Sequence, residues 1–495
     1  MIKVIDLNPQ YEYEVKELLK LFYPPDEVAM NQEADVDDEA SILELSFQEQ
    51  GKVIALTVRY KHPEGERVYQ EEQSIVNDPL GKKKLEKRMI KRGIYTLITE
   101  AHGVYLPWGT LVGIRPTKLA HELIERGLPA PAITQELQEE HLMNGEKAEL
   151  LLSVAQREYP YLYPLREDLI SVYISIPFCP SRCVYCSFPS NAIKTWGYLQ
   201  AQYLDALCKE IEATASHIRS SKKTIETLYI GGGTPSVLTV PQLQQLIGVL
   251  KRELPLDNLK EFTFEAGRPD TIDEEKLKTL LNLGVTRLSI NPQTMNDCTL
   301  EAIGRGHSVL ELKEAYALAK DVGFDNINMD LILGLPGENE VMVRHTLEEV
   351  KALAPENLTV HTLAVKNASK LKEAPEAYGL IKGSEMMEML RMSQSYARAM
   401  GLVPYYLYRQ KHMLGNLENI GYCRPGAEGI YNIKIMEEKQ TILAFGAGGI
   451  SKFVYLDENR LERVPNVKNL EHYLARYDEM AQRKINLLKS LDKDA

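Results

Sequence analysis

The sequence predicts an α/β fold: a partial (βα)6 barrel with an N-terminal α+β domain and a C-terminal, mostly helical region. From about residue 169, short apolar runs rich in β-branched residues alternate with amphipathic helical patterns, which is typical of βα units. Six strand candidates occupy residues 169–178, 224–233, 261–267, 287–293, 326–337 and 358–365. Six parallel strands joined by five crossover helices form an open barrel, because the closed barrel of this type has eight strands.

The segments between these strands carry apolar residues at helical spacing, so each crossover helix has one apolar face. The clearest examples are Tyr203, Leu204, Leu207, Cys208 and Ile211, then Leu277, Leu280 and Leu281, then Leu310, Leu312, Ala315 and Leu318. Ligands of parallel α/β folds bind at the carboxyl ends of the strands. We therefore expect the polar and glycine-rich residues that follow these strands to face one mouth.

The barrel and its flanks give three predicted domains, residues 1–165, 166–384 and 385–495. In the first domain, ILELSFQEQGKVIALTVRYK predicts a hairpin around Gln50 and Gly51. Helices are expected near Lys83–Ala101 and Lys118–Arg126. This domain contains no motif that indicates a function.

The third domain begins with a predicted helix over residues 384–401. A stretch rich in tyrosine and glycine follows over residues 404–451, and a polar helical tail ends the chain. We expect this domain to cover the barrel mouth.

Composition indicates a protein of a reducing compartment. The 495 residues are 44% hydrophobic, enough for roughly three domains of ordinary size. Six cysteines, three of them scattered singly, do not form a disulfide framework in a chain of this length. The N-terminus has early acidic residues and no apolar segment of the signal-peptide kind, and no run approaches about 18 apolar residues. We expect a cytoplasmic protein that does not enter a membrane.

The formal net charge is −12 and the pI is near 5.5. This charge argues against nucleic acid as a partner, because proteins that bind a phosphate backbone usually show a basic face. The dense basic run KKKLEKRMIKR, at Lys82–Arg92, is interpreted as the solvated face of a helix.

Three cysteines, Cys179, Cys183 and Cys186, lie close together in the run IPFCPSRCVYCSFPS. Iron–sulfur cubanes are normally held by four cysteine thiolates, so a tight loop with three leaves one iron of a 4Fe–4S cluster open to a small molecule. The alternatives are a zinc site or three unrelated thiols. Zinc usually takes four ligands in two pairs, and no second pair with that spacing stands nearby. A 4Fe–4S cluster is therefore the leading interpretation.

Residues at the ends of later strands suit a ligand beside such a cluster. The glycines of GGGTP, at 231–235, allow close backbone approach because no Cβ intervenes, although an ordinary tight turn is the alternative. Glu265 could hold an ammonium, and Asp330 could hold two vicinal ribose hydroxyls. Gln293 ends another strand, and Arg305 could pair with a carboxylate through two hydrogen bonds. The alternatives for these four side chains are surface charge or helix capping.

Further motifs extend this pattern over nearly the whole chain. They are EAGRPD at Glu265, LSINPQTM at Leu288, IGRGH at Ile303, DLILGLPGE at Asp330, YYLYRQKHMLGNLENIGY at Tyr405 and WGTLVGIRPTKL at Trp108. With the cysteine loop, they resemble the radical S-adenosylmethionine (SAM) enzymes, in which the amino and carboxylate groups of SAM occupy the free iron site. From Tyr173 to about Ile450 the sequence is similar to the oxygen-independent coproporphyrinogen III dehydrogenase group, and in particular to its HemZ-type branch.

The resemblance implies a radical SAM barrel that holds a 4Fe–4S cluster and one or two molecules of SAM. It implies that Tyr173, Gly232, Glu265 and Ile450 contact the cluster-bound SAM, with Tyr173 and Glu265 at the reacting centre. The positions that it implies for a second molecule of SAM are Tyr185, Gly233, Thr234, Gln293, Arg305, Asp330 and Ala364.

Three features depart from the relatives that this resemblance names. Phe188 stands where the best-studied dehydrogenases have a fourth cysteine, and Ser175 stands where they have a histidine. Relatives that handle heme carry a His-Asn-x-x-Tyr-Trp element, and the matching segment here, residues 431–436, reads Tyr-Asn-Ile-Lys-Ile-Met.

The resemblance implies anaerobic decarboxylation of coproporphyrinogen III to protoporphyrinogen IX in heme biosynthesis, with an electron donor such as a flavodoxin or ferredoxin. Candidate cations for the substrate's propionates are Arg409, Lys411 and Arg424, with plain surface charge as the alternative. The tyrosines at 405–408 could flank the tetrapyrrole or lie in the core. The rival functions are a heme-binding chaperone on the same scaffold and a radical SAM methyltransferase acting on a tetrapyrrole.

Overall fold

Two structural units divide the chain in the computed structural model, residues 1–152 and residues 153–495. The structure describes residues 1–5, 7–30, 40–75, 78–113, 115–364, 369, 371, 383–410 and 417–491. None of the helices in these ranges has both the length and the apolar character needed to cross a bilayer. The predicted domain boundaries after residues 165 and 384 stay a prediction.

The first unit is built on a sheet of strands β1 (Ile2–Ile5), β2 (Val28–Met30), β3 (Ser41–Gln50), β4 (Val53–His62) and β5 (Gly65–Ser74). They lie in the order β2-β1-β3-β4-β5, with β1 parallel to both neighbours and β3 to β5 antiparallel. Gly51 turns the chain between β3 and β4 at φ +63°, a conformation that glycine adopts without strain. The predicted hairpin around Gln50 and Gly51 is confirmed.

The helices that accompany this sheet are α1 (Glu12–Leu19), α2 (Pro79–His102), α3 (Thr117–Glu125), α4 (Ala130–His141) and α5 (Gly145–Leu162), within which the unit boundary falls. The two predicted helices are confirmed as α2 and α3. Asp78 caps α2 by accepting two backbone N–H groups of its first turn. The basic run within α2 is only partly a solvated face, because Arg92 is buried and paired with Glu71 and Glu140.

The strands that begin the second unit are β6 (Leu169–Ile176), β7 (Phe178–Cys179), β8 (Asn191–Ala192), β9 (Thr224–Gly232), β10 (Glu261–Gly267), β11 (Arg287–Ile290), β12 (Ile327–Leu333) and β13 (Asn357–Thr362). The six predicted barrel strands are β6 and β9 to β13, and each pairs in parallel with its neighbour. The short strands β7 and β8 pair separately, in the loop that follows β6. The partial (βα)6 barrel is therefore confirmed.

The crossover helices are α6 (Ile193–Trp196), α7 (Gln200–Ser220), α8 (Val240–Glu253), α9 (Glu274–Asn282), α10 (Asp297–Ala302), α11 (Val309–Val322) and α12 (Glu340–Leu353). Local signals set their starts: Ser308 and Glu311 form a capping box at α11. Most predicted apolar faces are buried, but Leu310 is 64% exposed. It lies in the first turn of α11, whose buried face is formed by Leu312, Ala315, Tyr316 and Ala319.

The C-terminal region contains α13 (Gly383–Ala399), β14 (Val403–Tyr408), β15 (Asn419–Cys423), α14 (Ile430–Glu437), β16 (Thr441–Phe445), β17 (Ile450–Tyr455), β18 (Arg460–Pro465) and α15 (Leu470–Leu491). The helices predicted at its two ends are confirmed. Its strands extend the barrel sheet at both edges, because β16 pairs in parallel with β6 and β15 pairs antiparallel with β13.

A buried ion pair connects α15 to the barrel. Lys484 and Glu210 of α7 are both 0% exposed, and Lys484 Nζ donates to Glu210 Oε1 at 2.5 Å and to Asn466 Oδ1 at 2.8 Å. Glu210 Oε2 also accepts the Gly446 N–H at 2.9 Å and the Tyr473 hydroxyl at 2.6 Å. These hydrogen bonds offset the cost of removing both charges from water.

Replacing Lys484 by Met should lower the free energy of unfolding by about 3–5 kcal/mol, because Glu210 is left as a buried charge without its cation. Lys489, exposed on the same helix, is the matched control, and Lys489→Met should change the free energy by less than about 0.5 kcal/mol. Urea unfolding followed by circular dichroism measures both variants. Equal effects would mean that the ion pair does not stabilise the fold.

Candidate functional site

The three clustered cysteines lie in the loop that leaves the carboxyl end of β6. Cys179 and Cys183 are 8% and 9% exposed, Cys186 is half-buried, and all three are free thiols. The Cys186 N–H donates to the Cys183 carbonyl at 3.2 Å, and the Val184 N–H donates to the Ile303 carbonyl at 3.1 Å. The loop is therefore held both by its own turn and by a later part of the barrel.

The glycine turn after β9 packs directly against this loop. A Cβ on Gly233 would lie 2.5 Å from the Phe178 carbonyl oxygen and 2.9 Å from Cys179 Sγ, so only glycine fits there without a shift of the loop. The Thr234 N–H donates to the Phe178 carbonyl at 2.7 Å, and Thr234 Oγ1 donates to Cys179 Sγ at 3.5 Å. The turn thus fixes the position of the first thiol.

Glu265, on β10, points toward the same turn. Its carboxylate accepts hydrogen bonds from the Tyr229 hydroxyl and from the Gly232 N–H, the latter at 3.3 Å. Burial raises the pKa of Glu265 to about 7, against the lowering effect of the Tyr229 hydrogen bond, and the charge of Asp330 adds to the rise. Near neutral pH this carboxyl group is about half ionised, and a cation placed beside it would favour the ionised form.

Three tyrosine rings form an aromatic cluster beside Glu265. The ring centroids of Tyr229 and Tyr431 are 4.5 Å apart, and Tyr173 lies 5.9 Å from the first and 6.0 Å from the second. The rings are inclined to each other by 16° to 29°. Their apolar surface excludes water from one side of the carboxyl group, which contributes to its raised pKa.

Asp330 and Gln293 form the wall on the neighbouring strands. Asp330 Oδ1 accepts from Asn328 Nδ2 at 2.7 Å, and His361 Nε2 lies 3.9 Å from Asp330 Oδ2. Burial opposes ionisation of Asp330, but His361 and Asn328 outweigh it and hold its pKa below the ordinary value. Gln293 has φ +66°, and within the described part of the chain its buried Oε1 has no hydrogen-bond partner.

Arg305 is held by neutral groups. Its Nη1 donates to the Asn291 carbonyl at 2.7 Å, and its Nη2 donates to the Tyr185 hydroxyl at 3.3 Å. These contacts fix the direction of the guanidinium without neutralising it. The side chain therefore presents a positive charge next to the cysteine loop that carries Tyr185.

One cavity of about 370 Å³ brings most of the predicted site residues together. Those that line it are Cys179, Cys183, Cys186, Tyr185, Gly232, Gly233, Thr234, Glu265, Gln293, Arg305, Asp330 and Ala364. Tyr173 does not line it but packs on Tyr229, which does. Ile450 is 42% exposed outside the cavity, because the alternation of β17 turns Ser451 inward and Ile450 toward solvent.

Two of the three cations predicted to bind propionates, Arg409 and Arg424, do not line this cavity. Arg409 is 4% exposed near Glu418, and burial lowers its pKa to about 10. Arg424 is exposed, with Nη1 3.5 Å from Glu356, so the surface-charge alternative describes it. Neither residue lines the cavity. Lys411 lies outside the described residues.

Several lining residues were not identified from the sequence. They are polar or aromatic side chains at every second position of otherwise apolar strands, among them Tyr229, Arg287, Ser289, Asn328, Thr359 and His361. A period of two places such residues on one face of a strand, and this signal is present in the sequence. Tyr406 and Tyr408, from the predicted tyrosine run, also line the cavity.

Comparison with known proteins agrees with this geometry. Residues 173–350 match the profile of the Radical SAM superfamily. The chain is 41% identical over 403 residues to the oxygen-independent coproporphyrinogen-III oxidase-like protein HemZ of Bacillus subtilis (strain 168), which covers 80% of each chain. This chain belongs to the HemZ-like radical SAM family. The fold and the family that the sequence predicted are confirmed.

Two further comparisons place the family among its relatives. The heme chaperone HemW of Bacillus subtilis (strain 168) is 32% identical over 307 residues, 61% of this chain and 75% of that one. The solved structure of coproporphyrinogen III oxidase (HemN) from Escherichia coli, described as a radical SAM enzyme, has 22% identity and a TM-score of 0.50. It covers 66% of this chain and 73% of that one, which shows a shared fold.

Membership of the radical SAM superfamily implies a 4Fe–4S cluster and SAM, as predicted. The residues of the cavity fit both groups. Three free thiols suit a cluster with one open iron, and the absence of a Cβ at Gly233 leaves room beside Cys179. The unpartnered Gln293 Oε1 and the polar strand ends provide hydrogen-bond partners for a ligand next to it.

Gly233→Ala should displace the cysteine loop, since its Cβ would overlap the Phe178 carbonyl and press on Cys179 Sγ. We expect loss of most cluster absorbance and bound iron after anaerobic reconstitution. Gly248→Ala is the matched control, because Gly248 lies in α8 with no atom within 4 Å of its added Cβ. A full cluster in Gly233→Ala would contradict the close approach seen here.

Proposed function

We propose that this protein is an oxygen-independent coproporphyrinogen III dehydrogenase, which converts two propionates of coproporphyrinogen III to vinyl groups and forms protoporphyrinogen IX. The observation that carries the proposal is the shared cavity, in which the cysteine loop faces strand-end acids and a polar wall with Tyr406 and Tyr408. The similarity to a coproporphyrinogen-III oxidase-like protein supports it.

Each conversion removes one hydrogen atom from the β-carbon of a propionate, releases CO2 and passes one electron to an acceptor. When bound, the cluster and SAM supply the one-electron chemistry that can remove a hydrogen atom from such a carbon. An external one-electron donor, such as a flavodoxin or ferredoxin, is the expected partner. The protein's own task is to bind, orient and keep water out.

Residues near the cysteine loop suit the cluster-bound SAM. We assign Cys179, Cys183 and Cys186 to the iron atoms and Glu265 to the amino N–H groups of the cluster-bound SAM. The hydrogen bond from Tyr229 orients the Glu265 carboxylate, and the aromatic cluster shields it from solvent. In this assignment Tyr173 acts through Tyr229, on which it packs.

A second molecule of SAM is part of this proposal. Asp330, held ionised by its neighbours, is suited to accept hydrogen bonds from two ribose hydroxyls. Arg305 is suited to a carboxylate, and the free Gln293 Oε1 is suited to a donor of the ligand. Tyr185 and Ala364 line the cavity beside these groups.

A heme chaperone is the rival with support, because HemW proteins are among the relatives. Helix α14 helps to distinguish the chaperone from the dehydrogenase. It brings Asn432 and Met436 to the cavity, while Tyr431, at the position of the histidine in heme-handling relatives, is 3% exposed within the aromatic cluster. The helix therefore offers no imidazole to a heme iron, which favours the dehydrogenase.

Anaerobic incubation of reduced, cluster-reconstituted protein with SAM and coproporphyrinogen III decides among the candidates. Protoporphyrinogen IX formed together with 5′-deoxyadenosine is the expected result. Tight heme binding without this product would favour the chaperone, and S-adenosylhomocysteine would favour a methyltransferase. Cys183→Ala should be inactive, and Cys298→Ala should match the wild type because Cys298 is exposed and does not line the cavity.

The affinity for SAM should fall as the pH drops below about 7. Glu265 has a pKa of about 7 in the free protein, so below that pH it is mostly protonated and no longer offers a charged acceptor to the N–H groups of the SAM amino group. Each further pH unit should then weaken binding by up to about tenfold, and above the pKa the effect should level off.

Glu265→Gln is the comparison that isolates this effect, because titration of SAM itself is the same for both proteins. At about pH 8 the variant should bind SAM about ten- to a hundredfold more weakly, and the gap should narrow toward about pH 6. Isothermal titration calorimetry across this range measures it. A ratio of wild-type to variant SAM affinity that does not change with pH would refute the role given to Glu265.

A further inference from the structure

Arg287 is a buried cation of the cavity that none of the roles above uses. It begins β11, is 1% exposed and lines the cavity. Within the described residues, its hydrogen bonding is limited to Nη2, which donates to Asn357 Oδ1 at 3.3 Å. Its buried Nε–H has no acceptor. The guanidinium is thus incompletely satisfied in the free protein.

No described carboxylate oxygen lies within 4.0 Å of the Arg287 guanidinium nitrogens. Glu261 favours the charge from longer range. Its two oxygens, however, accept the backbone N–H groups of Ile430 and Tyr431 at 2.6 and 3.1 Å and so fix the start of α14. A buried charge without a contact partner is costly, so this site favours an incoming anion.

The other arginines of the cavity are engaged differently. Arg268 forms a two-point ion pair with Asp270, with Nε 3.0 Å from Oδ1 and Nη2 2.9 Å from Oδ2. Arg305 donates to backbone carbonyls beside the cysteine loop and has a role in SAM binding above. Among the described arginines that line the cavity, Arg287 is the one without an assigned role, and it begins β11, whereas the cysteine loop leaves the carboxyl end of β6.

We propose that Arg287 binds a carboxylate of the substrate, which in the function proposed above, on which this inference rests, is a propionate of the tetrapyrrole. A planar guanidinium presents parallel N–H donors that match the two oxygens of a carboxylate. Four neutral polar residues that line the same cavity can share in this binding, while the Glu265 and Asp330 carboxyl groups interact with Arg287 over a longer range. The four polar residues are Ser289, Asn328, Thr359 and Asn432.

The bound propionate is one that does not react. A carboxylate held in a buried ion pair is stabilised as an anion, and this opposes its loss as CO2. Two of the four propionates of coproporphyrinogen III stay intact in the proposed reaction, and either can serve as the anchor. Tyr406 and Tyr408, whose rings are inclined by 6° with centroids 6.4 Å apart, line the same cavity and offer faces for the macrocycle.

Binding of coproporphyrin III and of its tetramethyl ester to the reconstituted full chain, followed by porphyrin fluorescence, tests this anchor. Arg287→Met should raise the Kd of the free acid about ten- to a hundredfold and leave the Kd of the ester unchanged. Arg287→Lys keeps the charge but not the parallel N–H donors of the guanidinium. Its Kd for the free acid should lie between those of the wild type and of Arg287→Met. Arg424→Met is the matched control at an exposed arginine and should change neither Kd.

Thermal unfolding separates ligand binding from a purely structural role. If the charge of Arg287 is paired only when a ligand binds, Arg287→Met should keep or raise the Tm of the free protein. The free acid should then no longer raise the Tm of this variant. A lower Tm with equal losses of acid and ester binding would overturn the inference.

The remaining outcomes distinguish the anchor from the proposed function. Equal binding of the free acid by wild type and Arg287→Met would overturn the anchor and leave the dehydrogenase standing. A wild-type protein that binds neither porphyrin would overturn both.

Discussion

The shared direction of seven neighbouring strands is the constraint on which the second unit depends. From β16 through β6 and β9 to β13, every adjacent pair is parallel. Parallel strands bring their carboxyl ends to one edge, so the cysteine loop, the glycine turn and the strand-end acids meet although they lie far apart in the sequence. The register of neighbouring strands then sets the level at which each side chain lies along the barrel, since Glu265 pairs with Ser289 and Asp330 pairs with Thr359.

The two acids of the cavity show how environment gives one chemical group two behaviours. Both are removed from water, which disfavours their ionised forms. For Glu265 burial dominates, and its pKa rises to about 7. For Asp330 burial is outweighed by the neighbouring His361 imidazole and Asn328 amide, and its pKa falls. One carboxyl group therefore responds to the charge of its ligand, while the other is a fixed acceptor of hydrogen bonds.

The barrel strands and the cysteine loop could be predicted from the sequence because their signals are local: runs of β-branched residues and the spacing of three thiols. Strands such as β16 could not, since this strand depends on a partner, β6, that lies early in the second unit. The exposure of individual side chains could not be predicted from local signals either. Ile450 and Leu310 face solvent and Arg409 is buried, because the phase of one strand or turn decides each case. Arg287 was missed for a related reason, since a charged residue at a strand start resembles a surface residue.

The two departures from the best-studied dehydrogenases lie in different surroundings. Ser175 is 5% exposed, and its Oγ donates to the Ala447 carbonyl at 2.9 Å. A Cβ on Gly446 would lie 2.5 Å from the Ser175 carbonyl, so the small serine and the glycine loop before β17 are parts of one close packing arrangement. Phe188, in contrast, is 64% exposed and lines the cavity. One departure thus concerns the support behind the cysteine loop and the other its solvent-exposed side. Ser175 also reaches the glycine turn, because it pairs with Gly231 and its Oγ lies 3.1 Å from the position of a Cβ on Gly232. A larger side chain at position 175 would therefore have to displace the turn that follows β9.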